Sequence, residues 1–471
     1  GAYTDAILDQ AKISSFNTWP SFQPDGDVSG NQVLRVSPWQ FSGSLNYRQQ
    51  VMGDWEFYGR GDVIWRDSWY IGNDNQGVIP AHTYVNLRFG LESARYSVEV
   101  WADAALLADF RYNAFRAPTP GDEPPARAWT MLMLNSKPMP AARLRRLHAA
   151  AVVAESANLA RFYSHEPPNV INPPALARRV AAEAQRVGLR CTIIDERRMA
   201  AMDMNALLAV GRGSAAPPRL IVLEHRGRGS KAAPVVLIGK AVTQDTGGYS
   251  IKAAEGIPDM KFDKCGGMAV LGAMIAAARL RLSTRVVGVI PAAENMIDAR
   301  AYRPGDILTA MNGRTIEVIS TDAEGRLLLA DALTYAQRLF RPRLIIDLAT
   351  LTGACVVALG HHAAGLFSND DELASRLIAA GDAVGERLWR MPLWPAYRKQ
   401  IEGTDADLKN SGGRAGGAVT AAMFLREFVG DGQPWAHLDI AGTAHLDKET
   451  PLIRRGATGF GVRLLLRLLR D

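Results

Sequence analysis

The sequence predicts an α/β protein: a three-layer domain around a largely parallel central sheet, preceded by a smaller β-rich N-terminal region. Three observations carry this. From about residue 142 onward, short, solidly apolar runs alternate with Ala-rich amphipathic stretches, the pattern of strands buried on both faces between covering helices. Before residue 130 the apolar period is two, and seven of the ten tryptophans fall there. Between these parts, residues 113–127 (NAFRAPTPGDEPPAR) are rich in Pro and polar types and read as a linker. The expected divisions are 1–118 for the β-rich region, 119–149 for a linker and connecting helix, and 150–471 for the main domain.

In the first region the alternation places strands at 32–47, 54–65, 82–91 and 94–103, separated by Gly, Asn and Asp turns. Lysine is absent between Lys12 and Lys137. Residues 30–105 resemble the last strands of a TonB-dependent outer-membrane receptor. So few strands cannot close a barrel, and lipid does not tolerate open sheet edges. The expectation is therefore a β-rich accessory region with no membrane partner.

The main domain opens with a helix over ARLRRLHAAAVVAESANLARFYSHEP, 142–167. Asn172 is a cap, with Pro173 and Pro174 in the first turn of a helix that continues over 175–187. Strands follow at 189–195, 219–225, 234–239, 284–291 and 343–349, with helices at 266–281 and 326–340.

Apolar types make up 48% of the chain and charged types 22%, which supports a large core and excludes a wholly disordered or collagen-like chain. A net charge of +6 over 471 residues is a weak argument for nucleic acid. Three cysteines, Cys191, Cys265 and Cys355, have no paired spacing and point to a reducing compartment or to indifference. No apolar run has the length of a spanning helix, and residues 1–16 lack the pattern of a signal peptide. A cytoplasmic location is expected.

The chemistry concentrates after strand ends, where open α/β sheets place their sites. GKAVTQDTGGYSIK (239–252) supplies Lys240, Asp245 and Lys252. MKFDKCGG (260–267) supplies Asp263, and STDAEGR (320–326) supplies Asp322, Glu324 and Arg326. Four carboxylates in one pocket would oppose each other's ionisation. Divalent cations relieve that repulsion and take the oxygens as ligands, and four such groups suit a pair of metals. The competing reading is helix-cap acids and surface ion pairs.

These segments closely resemble the leucyl aminopeptidase family, the dinuclear metallo-exopeptidases also called cytosol aminopeptidases. The likeness lies in residues 236–262, 301–326 and 346–362 and extends over about 150–471. STDAEGR is nearly the family signature NTDAEGR. EPPNVINP (166–173), AAENM (292–296), YRPGD (302–306), DLATLTGA (347–354) and GGRAGGAVTAAMFL (412–425) follow in the family's order.

The resemblance implies a hydrolase that releases N-terminal residues, leucine and other apolar types preferred, from peptides. It assigns the tightly held metal to Lys240, Asp245, Asp263 and Glu324. The exchangeable one goes to Asp245, Asp322 and Glu324, with the Asp322 carbonyl helping. The ions would be Mn²⁺ or Zn²⁺, with Mg²⁺ or Co²⁺ as further choices. Lys252 and Arg326 would be the catalytic residues, Lys252 polarising the scissile carbonyl and Arg326 holding a bicarbonate. Met260, Thr350, Leu351, Gly353 and Ala441 would form an apolar substrate pocket. His361 and His362 are not expected as ligands. A homo-hexamer, a dimer of trimers, also comes with the resemblance. Ser320 and Gln244 depart from the family's usual Asn and Phe, and neither departure removes a ligand. The alternative is a non-catalytic or DNA-binding protein on the same fold.

Overall fold

A computed structural model of the chain describes residues 7–15, 39–52, 55–66, 69–70, 78–79, 82–93, 104, 106–116, 141–228, 232–450 and 453–470. The chain divides into two compact units, Gly1–Trp101 and Ala102–Asp471.

In the first unit, strands Ile7–Ser15, Trp39–Met52, Trp55–Arg66 and His82–Ser93 form an antiparallel sheet in chain order. Phe41 pairs with Trp65, and Trp65 with Thr83. Three of the expected strands overlap these elements. The strand expected at 94–103 lies outside the described residues, as does the linker from residue 117 onward.

The second unit is built on nine strands. They are β1 (Arg190–Ile194), β2 (Arg219–His225), β3 (Val235–Gly239), β4 (Ala241–Asp245) and β5 (Val286–Asn295). After them come β6 (Leu344–Ala349), β7 (Ala364–Ser368), β8 (Leu388–Arg390) and β9 (Trp435–Asp439). The sheet order is β8-β7-β9-β6-β3-β5-β2-β1, with β4 also on β5. The central run β9-β6-β3-β5 is parallel, and β4 joins β5 in the same sense. Antiparallel pairings enter at β5/β2, β2/β1 and β7/β9. The sheet is thus largely parallel and mixed toward its edges.

Both faces are covered. Helices α1 (Ala141–His165), α2 (Pro173–Arg186), α3 (Cys265–Arg279), α5 (Asp371–Val384) and α7 (Val462–Arg470) contribute to one core, and α4 (Gly325–Phe340) and α6 (Gly417–Arg426) to the other. Along β3, Val235 and Leu237 enter the first core while Val236 and Ile238 enter the second. An unbroken apolar strand is what two buried faces require. Asn172 caps α2 as expected, its side-chain oxygen accepting from Ala175 N at 3.0 Å. Helix α3 carries apolar or small residues on every side and is buried almost throughout.

Its first turn meets the sheet at glycine. A Cβ on Gly266 would collide with the Leu348 carbonyl oxygen, and one on Gly267 would meet the Ala241 methyl at 2.8 Å. This close approach brings Asp263, just before α3, to the C-terminal ends of β3 and β6. The segment after β3, expected as a loop, instead runs on as β4 along the same neighbour. Lys240 stands at the break between them. Among the described residues, no helix is long and apolar enough to cross a membrane.

Candidate active site

The C-terminal ends of β3, β4, β6 and β9 converge on a cavity of about 440 Å³. Every site residue predicted from the sequence lines it: Lys240, Asp245, Lys252, Met260, Asp263, Asp322, Glu324, Arg326, Thr350, Leu351, Gly353 and Ala441. His361 lies elsewhere, its Nδ1 2.7 Å from the Gly442 carbonyl.

Two lysines tie the acids together. Lys240 Nζ lies 2.8 Å from Asp263 Oδ1 and 2.7 Å from Glu324 Oε1, and donates to the Thr350 carbonyl at 2.9 Å. Lys252 Nζ pairs with Asp245 Oδ2 at 2.8 Å and with Asp322 Oδ1. Gly325 makes room for the first of these: a Cβ there would stand 2.8 Å from Lys240 Nζ.

A second layer of polar groups fixes the acids. Asp245 Oδ1 accepts from Asn295 Nδ2 at 2.7 Å and Gly247 N at 2.9 Å. Thr350 Oγ1 donates to Asp263 Oδ1 at 2.7 Å. The loop carrying Asp322 is held by its neighbours: Asn295 Nδ2 and the Tyr302 hydroxyl donate to the Thr321 carbonyl, and Asn410 brackets Ile319 and Ser320. Ser320 Oγ accepts from Asp322 N at 3.2 Å, so the family departure here stays within the loop's own bonding. Asp439 joins two pocket segments, accepting from Thr352 Oγ1, Leu351 N and Ala441 N.

Burial and like charge compete with the lysines. Burial pushes the Asp263 carboxyl up to about 7, with Lys240 opposing and Glu324 and Asp245 adding to the rise. Burial and then Glu324 push Asp245 up to about 6, against Lys252 and Lys240. Burial also disfavours the charged Glu324, but Lys240 and Lys252 outweigh it and hold that carboxyl below its ordinary value. Burial alone would lower Lys240, yet Asp263, Glu324 and Asp245 hold the ammonium above its usual range. Burial lowers Arg326 to about 10.

Two atoms of the predicted site residues, Asp263 Oδ2 and Arg326 Nε, are buried without a hydrogen-bond partner. Asp245, Asp322 and Glu324 each offer a carboxylate oxygen, all within 4.8 Å of one another. A buried, unpartnered carboxylate oxygen beside three others fits a divalent cation, and an unpartnered guanidinium donor fits an anion. A profile described as the cytosol aminopeptidase family, catalytic domain, matches residues 158–466.

The chain belongs to the cytosol aminopeptidase family. As a member it is a leucyl aminopeptidase-like, metal-dependent hydrolase. It is 50% identical over 375 residues to a probable cytosol aminopeptidase of Syntrophotalea carbinolica, covering 80% of this chain and 75% of that one. A probable cytosol aminopeptidase of Methylobacterium radiotolerans is 49% identical over 361 residues, covering 77% and 70%. Among solved structures, the bottromycin maturation enzyme BotP in complex with Mn is similar, with a TM-score of 0.72, 37% identity and 79% coverage of each chain.

Sequence reasoning missed several cavity residues, notably Asp259, Phe262, Val356, Thr420 and His445. It quoted Asn295 only as part of a motif. The proximity of Asn410 to GGRAGG was the one signal for its bracketing role.

Proposed function

We propose that this family member removes N-terminal residues, leucine and other apolar types among them, through a water activated by two divalent metal ions. The carrying observation is the buried, unpartnered Asp263 Oδ2 within one cavity that also holds Asp245, Asp322, Glu324, Lys240 and Lys252. Lys240, Asp245, Asp263 and Glu324 are the proposed ligands of the tightly held ion. Asp245, Asp322 and Glu324, with the Asp322 carbonyl, are those of the exchangeable one. Mn²⁺ and Zn²⁺ lead the choice, then Mg²⁺ and Co²⁺, and the Mn complex of BotP supports the first. Bound there, the ions would supply Lewis acidity to the scissile carbonyl and to the attacking water.

The chain's own groups do the rest. Lys252 keeps a partly exposed ammonium at the cavity and would donate to the oxyanion that forms on the carbonyl oxygen. Arg326 is anchored through Nη1 to the Asn410 carbonyl at 2.8 Å, leaving Nε to orient a bicarbonate at the proton-transfer position. Met260, Thr350, Leu351, Gly353 and Ala441 would receive the side chain. A free α-amine, which only the first residue of a peptide offers, limits cleavage to the N-terminal bond. Homo-hexameric assembly and a cytoplasmic location are carried over from the resemblance, and sedimentation of the full chain tests the first.

The test is release of leucine from a leucyl anilide by protein loaded with Mn²⁺ or Zn²⁺, with and without chelator. Metal-loaded protein inactive across a panel of aminoacyl anilides would overturn the reading. Glu324→Ala should remove both activity and calorimetric metal binding.

A further inference from the structure

The side-chain pocket of the proposed aminopeptidase is not apolar throughout. Asp259 and His445 line the same cavity as Met260, Leu351 and Ala441. Asp259 is half-buried near the end of the 3₁₀ turn Ala254–Phe262, and His445 begins the short strand His445–Leu446. Ligand atoms of Asp259, His445 and Asp447 lie within 4.8 Å of one another. Among the described residues, neither carboxylate has an ion-pair partner. The nearby Lys261 ammonium sits over the Phe262 ring instead, at 5.0 Å. The His445 ring stacks on Phe262 at 5.0 Å and 14°, and its buried Nδ1 lacks a hydrogen-bond partner.

We propose that Asp259 and His445 extend the substrate class to long cationic N-terminal residues, arginine and lysine. This rests on the aminopeptidase reading above and specifies its pocket. An arginine or lysine side chain is an apolar stem with a charged head. Met260 and Leu351 offer the stem a wall, and the uncompensated Asp259 carboxylate beside the unpartnered His445 nitrogen offers the head a counter-charge and a polar contact. Arginine gains more than lysine, because its fork can engage a carboxylate through two parallel hydrogen bonds. A leucine side chain has no charged head and needs only the apolar wall, so the two preferences coexist.

The experiment compares kcat/KM of the metal-loaded enzyme for arginyl, citrullinyl and leucyl anilides. Citrulline keeps the length and shape of arginine without the charge. Arginine is expected to exceed citrulline by about ten- to a hundredfold, the range for a charge-assisted hydrogen bond in a partly desolvated site. Asp259→Asn should collapse that ratio, and the arginine-to-leucine ratio should fall with it. Should that variant fold poorly, the citrulline comparison in the unaltered chain still decides. Equal rates for arginine and citrulline, or a ratio that survives Asp259→Asn, would overturn the proposal. So would a third Mn²⁺ per chain that disappears in Asp259→Asn, because the acid would then hold a metal. Failure to cleave any of the three anilides removes the aminopeptidase reading beneath it, which is a different result from cleavage without preference.

Discussion

Replacing Lys240 with methionine removes the positive charge from the most enclosed part of the acidic cluster. Lys240, Asp263 and Glu324 all keep 6% or less of their side-chain surface exposed. At an effective dielectric of about 20, a unit pair at the observed 2.8 Å attracts by about 6 kcal/mol before any cost is subtracted. The Glu324 contact, at 2.7 Å, is of the same size. Against this, the variant no longer buries an ammonium, and the stranded carboxylates can take up a proton. Breaking a buried pair in this way typically leaves a net loss of about 3–5 kcal/mol. The assay is chemical denaturation of parent and variant in chelator at pH 8, above the raised Asp263 value of about 7. The difference should shrink at pH 5, where that carboxyl is already protonated in the folded protein. A variant as stable as the parent in chelator at pH 8, or a loss that does not vary with pH, would refute the charge-compensation argument.

Three further outcomes are expected. Arg326→Gln should lower kcat by about a hundredfold and abolish any stimulation by added bicarbonate; a retained bicarbonate response would count against Arg326 as the anion holder. His165 is held neutral, its Nδ1 2.7 Å from the Arg161 carbonyl and its Nε2 accepting from Ala457 N, and burial lowers its pKa from 6.5 to about 4. The unfolded chain therefore binds the proton first on acidification. Stability should fall by about 3 kcal/mol between pH 6.5 and pH 4, and His165→Phe should flatten that part of the denaturation-midpoint profile. Asn172→Ala should cost about 1 kcal/mol through the lost cap on α2, read as a shifted urea midpoint with unchanged slope.

The parallel core was legible because its strands are apolar on both faces, as β3 and β5 are. Strand β9 was not, because its sequence WAHLD carries a histidine and an acid. Inside the sheet two of its polar atoms meet one acid of the neighbouring strand: His437 Nδ1 lies 2.6 Å from Asp347 Oδ1, and Trp435 Nε1 donates to Asp347 Oδ2 at 2.6 Å. A pattern of single residues cannot show that a histidine on one strand meets an acid on the next. β7, AGLFS, is short and begins with two small residues, so it gives no period. The ligand candidates were legible because they stand in compact motifs at strand ends. Asp259 and His445 were not, because they meet only after the C-terminal segment folds back over the 3₁₀ turn. Ser320 was noticed as a departure, but only its hydrogen bond with Asp322 N gives it a physical place.

The main chain of Lys240 is also committed. Its N–H donates to the Leu348 carbonyl at 3.0 Å, and its own carbonyl accepts from Gly267 N at 2.7 Å. A side chain at the centre of the chemistry is thus stitched to β6 and to the first turn of α3 at the same residue. Exchange of those two amide protons with solvent then requires the sheet and helix to part, and cannot proceed through local loop opening. Heat inactivation of the metal-loaded enzyme should accordingly track the melting of its central sheet.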